Sequence, residues 1–115
     1  MADIYEIFKF PDISEHVKDV CVNKIGITFP PILTDEEYNS LSAEEKEMRT
    51  RQKHIYWDWA ATIRFAWQEG YLEGKQKFAK SLYENGLSTE NIAEIVDQSP
   101  LAIELLLSYS FTHDS

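Results

Sequence analysis

The spacing of apolar residues predicts a chain that is helical over most of its length. A stretch without proline, rich in Glu, Lys, Arg, Ala and Gln, runs from Ala43 to Tyr83 and precedes Asn85-Gly86, a natural helix end. It predicts one helix of roughly 60 Å, because each helical residue adds about 1.5 Å. A helix this long normally packs against another copy or projects to a partner.

Two short amphipathic helices are predicted to follow this stretch. Ser88 has the residue type of an N-cap, and Ser99-Pro100 supplies both an N-cap and a proline at the first helical position. We expect the tail from Ser110 onward to be loose. The predicted C-terminal core consists of Leu82, Leu87, Ile92, Ile95, Val96, Leu101, Leu105 and Leu106.

Residues 1–33 predict an irregular N-terminal arm. Residues 2–10 fit either a strand or a short helix. Ser14 is a candidate N-cap for a helix to about Ile25, although the β-branched residues of that segment also fit a strand. Residues 26–33 contain two adjacent prolines, which exclude a helix and favour an extended segment.

Two capping boxes mark the next helix starts. Thr34 with Glu37 predicts a short helix from about residue 35 to residue 40, and Ser42 with Glu45 predicts the start of the long helix. The chain is therefore predicted to be all-α, with a long central helix and a C-terminal helical hairpin that is helix-turn-helix-like. The predicted segments are the arm (1–33), the long dimerisation helix region (34–85) and the hairpin (86–109).

Two glycines interrupt the long helical stretch. Gly70 and Gly74 lie four residues apart, and each costs about 1 kcal/mol relative to alanine inside a helix. Small residues at this spacing let two helices approach closely, although the glycines also fit a frayed or kinked helix. We expect the long helix to pair with a second copy. The predicted protein interface consists of Trp59, Ile63, Ala66, Trp67, Gly70, Gly74 and Phe78.

Composition narrows the choice of partners and compartment. The chain has 115 residues with a formal net charge of -9, which opposes non-specific binding to nucleic acids. Its single cysteine, Cys21, lies between two valines, is expected to be a buried apolar residue, and fits a reducing compartment. No apolar run approaches 18 residues, and the N-terminus does not resemble a signal peptide. We therefore expect a cytoplasmic protein with no membrane partner.

The sequence offers no constellation for catalysis. His16, His54 and His113 are far apart and have no nearby ligand at metal spacing. Pro11-Asp12 with Glu44-Glu45-Lys46 spells the PD…ExK pattern of a nuclease metal site. In those nucleases Glu and Lys share one side of a strand, whereas in a helix residues two apart diverge. We predict no catalytic residue, no metal site, no cofactor and no enzyme.

The hairpin also suggests a DNA-binding helix-turn-helix. A protein that recognises DNA in this way needs Arg, Lys, Asn or Gln on the exposed face of its second helix. That helix offers only Glu104 and serines. The pattern therefore predicts the fold of the hairpin and does not favour DNA as its partner.

A series of short motifs occupies the C-terminal half of the chain. They are Glu69-Gly70, Glu73-Gly74-Lys75, Ala79-Lys80-Ser81-Leu82, Gly86-Leu87-Ser88, Glu90, Ile92-Ala93, and Ser99 with Ile103-Glu104-Leu105. This series resembles the C-terminal tail of the recombination-promoting nuclease (Rpn)/putative transposase family, a branch of the PD-(D/E)xK superfamily. The upstream segment, with Lys53 and Asp58, looks like that family's linker, so the resemblance covers residues 34–107. One departure is Gln98, which stands where the family has a glycine.

The resemblance implies a non-catalytic function. The preceding 33 residues are too few for the family's catalytic domain, so we expect the chain to correspond to the C-terminal part alone. Some members of the family, which is linked to phage defence, make a short C-terminal product that blocks the full-length nuclease. A non-catalytic, antitoxin-like inhibitor is thus expected, which forms homodimers and binds a larger nuclease with the same C-terminal region. Two alternatives are a transcriptional regulator that binds DNA through the hairpin and a stand-alone structural interaction domain.

Overall fold

A computed structural model describes residues 3–111, and these residues form helices and no strand, which confirms the all-α prediction. The central helix and the hairpin are present. The helices are α1 (Ile4–Ile7), α2 (Ser14–Asp19), α3 (Asp35–Asn39), α4 (Ala43–Glu84), α5 (Thr89–Val96) and α6 (Pro100–Ser108), and a π-helical segment, Val20–Ile25, continues α2. The predicted arm thus contains short helices before an extended stretch at residues 26–34.

The chain forms two compact units that do not follow its linear order. The first, here the C-terminal unit, combines the described residues through Pro11 with those from Trp67 onward. The second, the middle unit, comprises Asp12 to Ala66. Helix α4 contributes its first part to the middle unit and its second part to the C-terminal unit. The predicted division into three segments stays a prediction.

The C-terminal unit has a closed apolar core. Leu72 of α4, Ile92 of α5, and Ile103 of α6 are fully buried. Ile4 and Phe8, at the N-terminal end of the chain, complete this core. The hairpin therefore buries its apolar face against a segment that is remote in sequence.

Side-chain hydrogen bonds hold the N-terminal segment in place. The backbone N–H of Lys9 donates to Oε1 of Gln98 at 2.8 Å, and Nε2 of Gln98 donates to the carbonyl of Lys9 at 2.9 Å. The adjacent Asp97 adopts the left-handed conformation with φ of 55° and forms an exposed ion pair with Lys9 at 3.7 Å. Asp97 thus makes the turn after α5, and Gln98 fastens the segment to that turn.

A buried glutamine ties α4 to the end of α6. Nε2 of Gln76 donates to the carbonyls of Leu106 and Tyr109 at 2.8 and 2.7 Å. The last carbonyls of a helix have no partner within the helix. Gln76 therefore gives the carbonyl of Tyr109 a donor and adds a second donor to the carbonyl of Leu106, which also accepts from the backbone N–H of Tyr109 at 3.2 Å.

The middle unit has a smaller interior. Its buried residues are Ile13, Val17, Cys21 and Pro30. Phe29 packs on Tyr56 and Trp57 of α4, with ring centroids 5.6 and 5.7 Å apart. Cys21 is buried as predicted, and burial raises the pKa of its thiol.

The helix boundaries follow the predicted caps with one exception. Thr34 and Glu37 form the predicted capping box, and Ser88 and Ser99 accept hydrogen bonds at the starts of α5 and α6. Gly86, with φ of 96°, follows α4, whose end was predicted at Tyr83. Ser14 is not an N-cap: Ile13 occupies that position without a side-chain cap.

Three predictions for individual residues of the C-terminal unit are wrong. Ile95 and Leu101 were predicted in the core but are about half exposed. Phe111 was predicted in a loose tail but is buried in the core. Residues 112–115 of the predicted tail, including His113, lie outside the described residues. Helical periodicity alone does not identify which side of a short helix meets a segment as remote as residues 3–11.

Candidate interaction surfaces of the long helix

The predicted interface residues are distributed over both units. Trp59, Ile63 and Ala66 belong to the middle unit, where Trp59 and Ala66 are exposed and Ile63 is half-buried. Trp67, Gly70, Gly74 and Phe78 belong to the C-terminal unit. There Trp67 is half-buried and stacks on Tyr71 with ring centroids 5.1 Å apart, and the other three are exposed. The interface as a whole stays a prediction.

The glycines of α4 face away from the core of the C-terminal unit. Gly70 and Gly74 each lie two positions from Leu72, and positions two apart point to nearly opposite sides of a helix. Leu72 is fully buried, whereas both glycines are exposed. A Cβ atom built on either glycine would meet no atom within 4 Å. Close approach by another part of residues 3–111 therefore does not explain them.

The middle unit leaves large apolar side chains of α4 in contact with solvent. Met48 is 66% exposed, and Ile55 and Trp59 are each 45% exposed. Contiguous exposed apolar patches on proteins usually mark interaction sites. Sequence reasoning found Trp59 but missed Met48, whose seven-residue spacing from Ile55 was the available signal.

The exposed surface of the hairpin is acidic and apolar. Its exposed charged residues are Glu90, Glu94, Asp97 and Glu104. DNA readers present cationic or amide side chains to phosphates and bases. This surface therefore does not favour the alternative function in DNA binding.

A groove of about 580 Å³ lies within the C-terminal unit. It is lined by Lys80, Tyr83, Glu84, Thr89, Glu104, Leu107 and Ser108. Its charged residues are Lys80, Glu84 and Glu104, and none of the residues that line it is buried. The residues that line the groove do not indicate a particular catalytic or ligand-binding site.

Residues with catalytic potential are dispersed in the structure. Among residues 3–111, no group of three His, Cys, Asp or Glu side chains is placed to hold a metal ion. Glu44 and Lys46 of the PD…ExK pattern lie in the first turn of α4. Asp12 instead accepts hydrogen bonds from the hydroxyl and backbone N–H of Ser14, which lower the pKa of its carboxyl.

Comparison with known proteins adds no assignment. Within the described part of the chain, no helix is both long and apolar enough to cross a membrane. Searches of protein-family models, curated proteins and solved structures find no match to this chain.

Proposed function

We propose that this chain is a non-catalytic, antitoxin-like inhibitor that forms dimers and binds a larger cytoplasmic nuclease sharing its C-terminal region. The observation that carries the proposal is the open glycine face of α4. Gly70 and Gly74 are exposed, with empty space beside them, on the side of the helix opposite the core. A partner helix is the feature that makes use of two adjacent glycines on an exposed face.

The cost of the glycines supports this view. Each costs about 1 kcal/mol in a helix interior, and alanine would fit both positions because nothing lies near them. Glycine is favoured over alanine if the backbone of a second chain comes so close to α4 that a side chain at these positions would collide with it. Phe78, 46% exposed on the same part of α4, supplies apolar area beside them.

The fold allows a partner with the same C-terminal region to bind through its own glycine face. The core of the C-terminal unit lies on the side of Leu72 and Gln76, so pairing through the glycine face leaves that core intact. A nuclease that ends in the same C-terminal region would present the same open face. The identity of the partner rests on the sequence resemblance alone.

The proposal is tested by filling the glycine face. Gly70→Leu with Gly74→Leu should abolish the complex with a nuclease that is encoded at the same locus and ends in this C-terminal region. Gly70→Ala with Gly74→Ala is the matched control and should weaken the complex less than the leucine pair does, because a methyl group fills less of the space that the partner backbone needs. The measurement is size-exclusion chromatography with light scattering of the mixed proteins.

Circular dichroism and thermal unfolding establish that both double variants remain folded. A leucine variant that still forms the complex would show that the glycine face is not the contact. A wild-type chain that does not bind the nuclease would refute the inhibitor function itself.

A further inference from the structure

One side of α4 in the middle unit carries an unpaired apolar stripe. Met48, Ile55 and Trp59 are spaced by seven and four residues, which places them on one side of a helix. All three are exposed to solvent by about half or more. Thr62 and Ala66 continue the same spacing in smaller side chains.

The interior of the middle unit uses a different side of α4. Phe29 packs on Trp57, and the Arg49 guanidinium donates to the carbonyl of Pro31. Trp57 lies two positions from both Ile55 and Trp59, so it points away from the stripe. These contacts leave Ile55 and Trp59 open to solvent. Met48 also lines a hollow beside Pro30 and Pro31 but stays 66% exposed.

The stripe has the surface relief of a helix-packing site. Met48, Arg51, Gln52 and Ile55 line a depression of about 280 Å³. Their positions are i, i+3, i+4 and i+7, the four residues that form a hole for a side chain of a facing helix in a coiled coil. Trp59, one turn beyond Ile55, is a side chain large enough to act as such a knob.

The charges beside the stripe are self-complementary in one orientation. Arg51 and Asp58 flank it on the same edge, seven residues apart and opposite in sign. Two copies that run antiparallel about Ile55 bring each Arg51 to the Asp58 of the other copy. In a parallel pair, Arg51 would instead meet Tyr56 and Asp58 would meet Ile63.

We infer that two copies of this chain pair through residues 48–62 of α4, antiparallel about Ile55, with Trp59 of each copy in the depression of the other. Each Arg51, which contacts Glu47 of its own helix at 3.5 Å, also pairs with Asp58 of the second copy. The inference rests on the proposed function for its premise of self-association. It places the contact between copies in the middle unit, so that Trp59 is the one residue of the predicted interface within that contact. The glycine face of each copy is then open for the nuclease, which differs from the predicted pairing of two copies through the glycines.

Charge reversal tests the orientation. Arg51→Asp and Asp58→Arg should each raise the dimer Kd at least about tenfold at low ionic strength, because each creates two like-charge contacts in the symmetric pair. An equimolar mixture of the two variants should form a heterodimer close to wild-type affinity, since every contact is again between opposite charges. Sedimentation velocity of the full chain, with one variant fluorescently labelled, measures all three species.

Matched controls separate this contact from general charge or tryptophan effects. Lys18→Asp changes the net charge as much as Arg51→Asp on an exposed position of α2 and should leave the Kd unchanged. Trp59→Ala should weaken the dimer at least about tenfold. Trp57→Ala, at a position of similar exposure on the other side of the helix, should not.

The outcomes also distinguish this inference from the proposed function. If the wild-type chain dimerises and both charge variants dimerise equally well, the antiparallel contact is wrong and the nuclease complex is untouched. A wild-type monomer overturns the inference together with the dimer of the proposed function. A Gly70→Leu, Gly74→Leu chain that loses the nuclease but keeps the dimer supports both assignments.

Discussion

The C-terminal and middle units use one helix in opposite ways. In the C-terminal unit, α4 places Leu72, Gln76 and Ala79 in a closed core. In the middle unit the same helix has no buried residue, and its largest apolar side chains meet solvent. A helix with apolar residues is therefore a core element only where other segments return to cover it. The middle unit contains apolar surface in excess of what its own residues cover.

The largest expected effect comes from truncating an apolar side chain in each unit. Leu72→Ala should lower the free energy of unfolding by about 2–5 kcal/mol, because it leaves a cavity in a closed core. Ile55→Ala should change it by no more than about 0.5 kcal/mol at concentrations where the chain is monomeric. Urea denaturation followed by circular dichroism measures both. Equal losses would remove the distinction between the two units.

A smaller loss of stability is expected from replacing a buried glutamine in the C-terminal unit, with an exposed glutamine of the middle unit as its comparison. Gln76→Ala should cost about 1–3 kcal/mol, because the half-buried carbonyl of Tyr109 loses its side-chain donor and the carbonyl of Leu106 keeps only the backbone N–H of Tyr109 at 3.2 Å. Gln52→Ala, on the exposed face of α4 in the middle unit, should have no measurable cost to the monomer. Thermal unfolding of the two variants side by side makes the measurement. A stable Gln76→Ala chain would mean that the end of α6 finds other donors.

The smallest expected effect is a change in helix stability with pH. It should occur at the start of α4, in the middle unit, and not at the start of α6, in the C-terminal unit. The backbone N–H of Ser42 donates to Glu45 and lowers the pKa of that carboxyl. The stabilisation is therefore present above the unfolded-state pKa and is lost as the pH falls through the lower, folded-state pKa. In the C-terminal unit the Ser99 cap involves no carboxylate, so the start of α6 should not respond.

Acid titration by NMR measures this difference at single amides. The Ser42 amide should shift, and exchange at the start of α4 should accelerate, as Glu45 is protonated. Glu45→Gln keeps an acceptor oxygen and removes the titration, so that variant should show a flat profile. An equal response at Ala102 would mean that the acid effect is global rather than local.

Local rules predicted most of the helices but not how they are buried. Capping patterns at Thr34, Ser42, Ser88 and Ser99 depend on residues within one turn, so they could be recognised in the sequence. The role of Gln98 depends on Lys9, which lies 89 positions away, and no periodic pattern reports such a contact. The exposure of Ile95 and Leu101 follows from the same cause.

The candidate interface was predictable in part. Gly70 and Gly74 stand out because glycine is costly in a helix, and no neighbouring atom among the described residues requires a glycine there. The depression beside Arg51 was not apparent, because a hole depends on which side of α4 is left uncovered by residues 12–33. Periodicity indicates a stripe, and only the packing of the rest of the unit shows that the stripe is open.

The clamp between Lys9 and Gln98 also has a consequence for the order of events during synthesis. The apolar segment with Ile4 and Phe8 is synthesised before α5 and α6, so its binding site is complete only when those helices have been made. At about 5–20 residues per second, the 89 residues between the clamped positions take roughly 4–18 s. During that interval the side chains of Ile4 and Phe8 lack the surfaces of α5 and α6 that bury them in the folded chain.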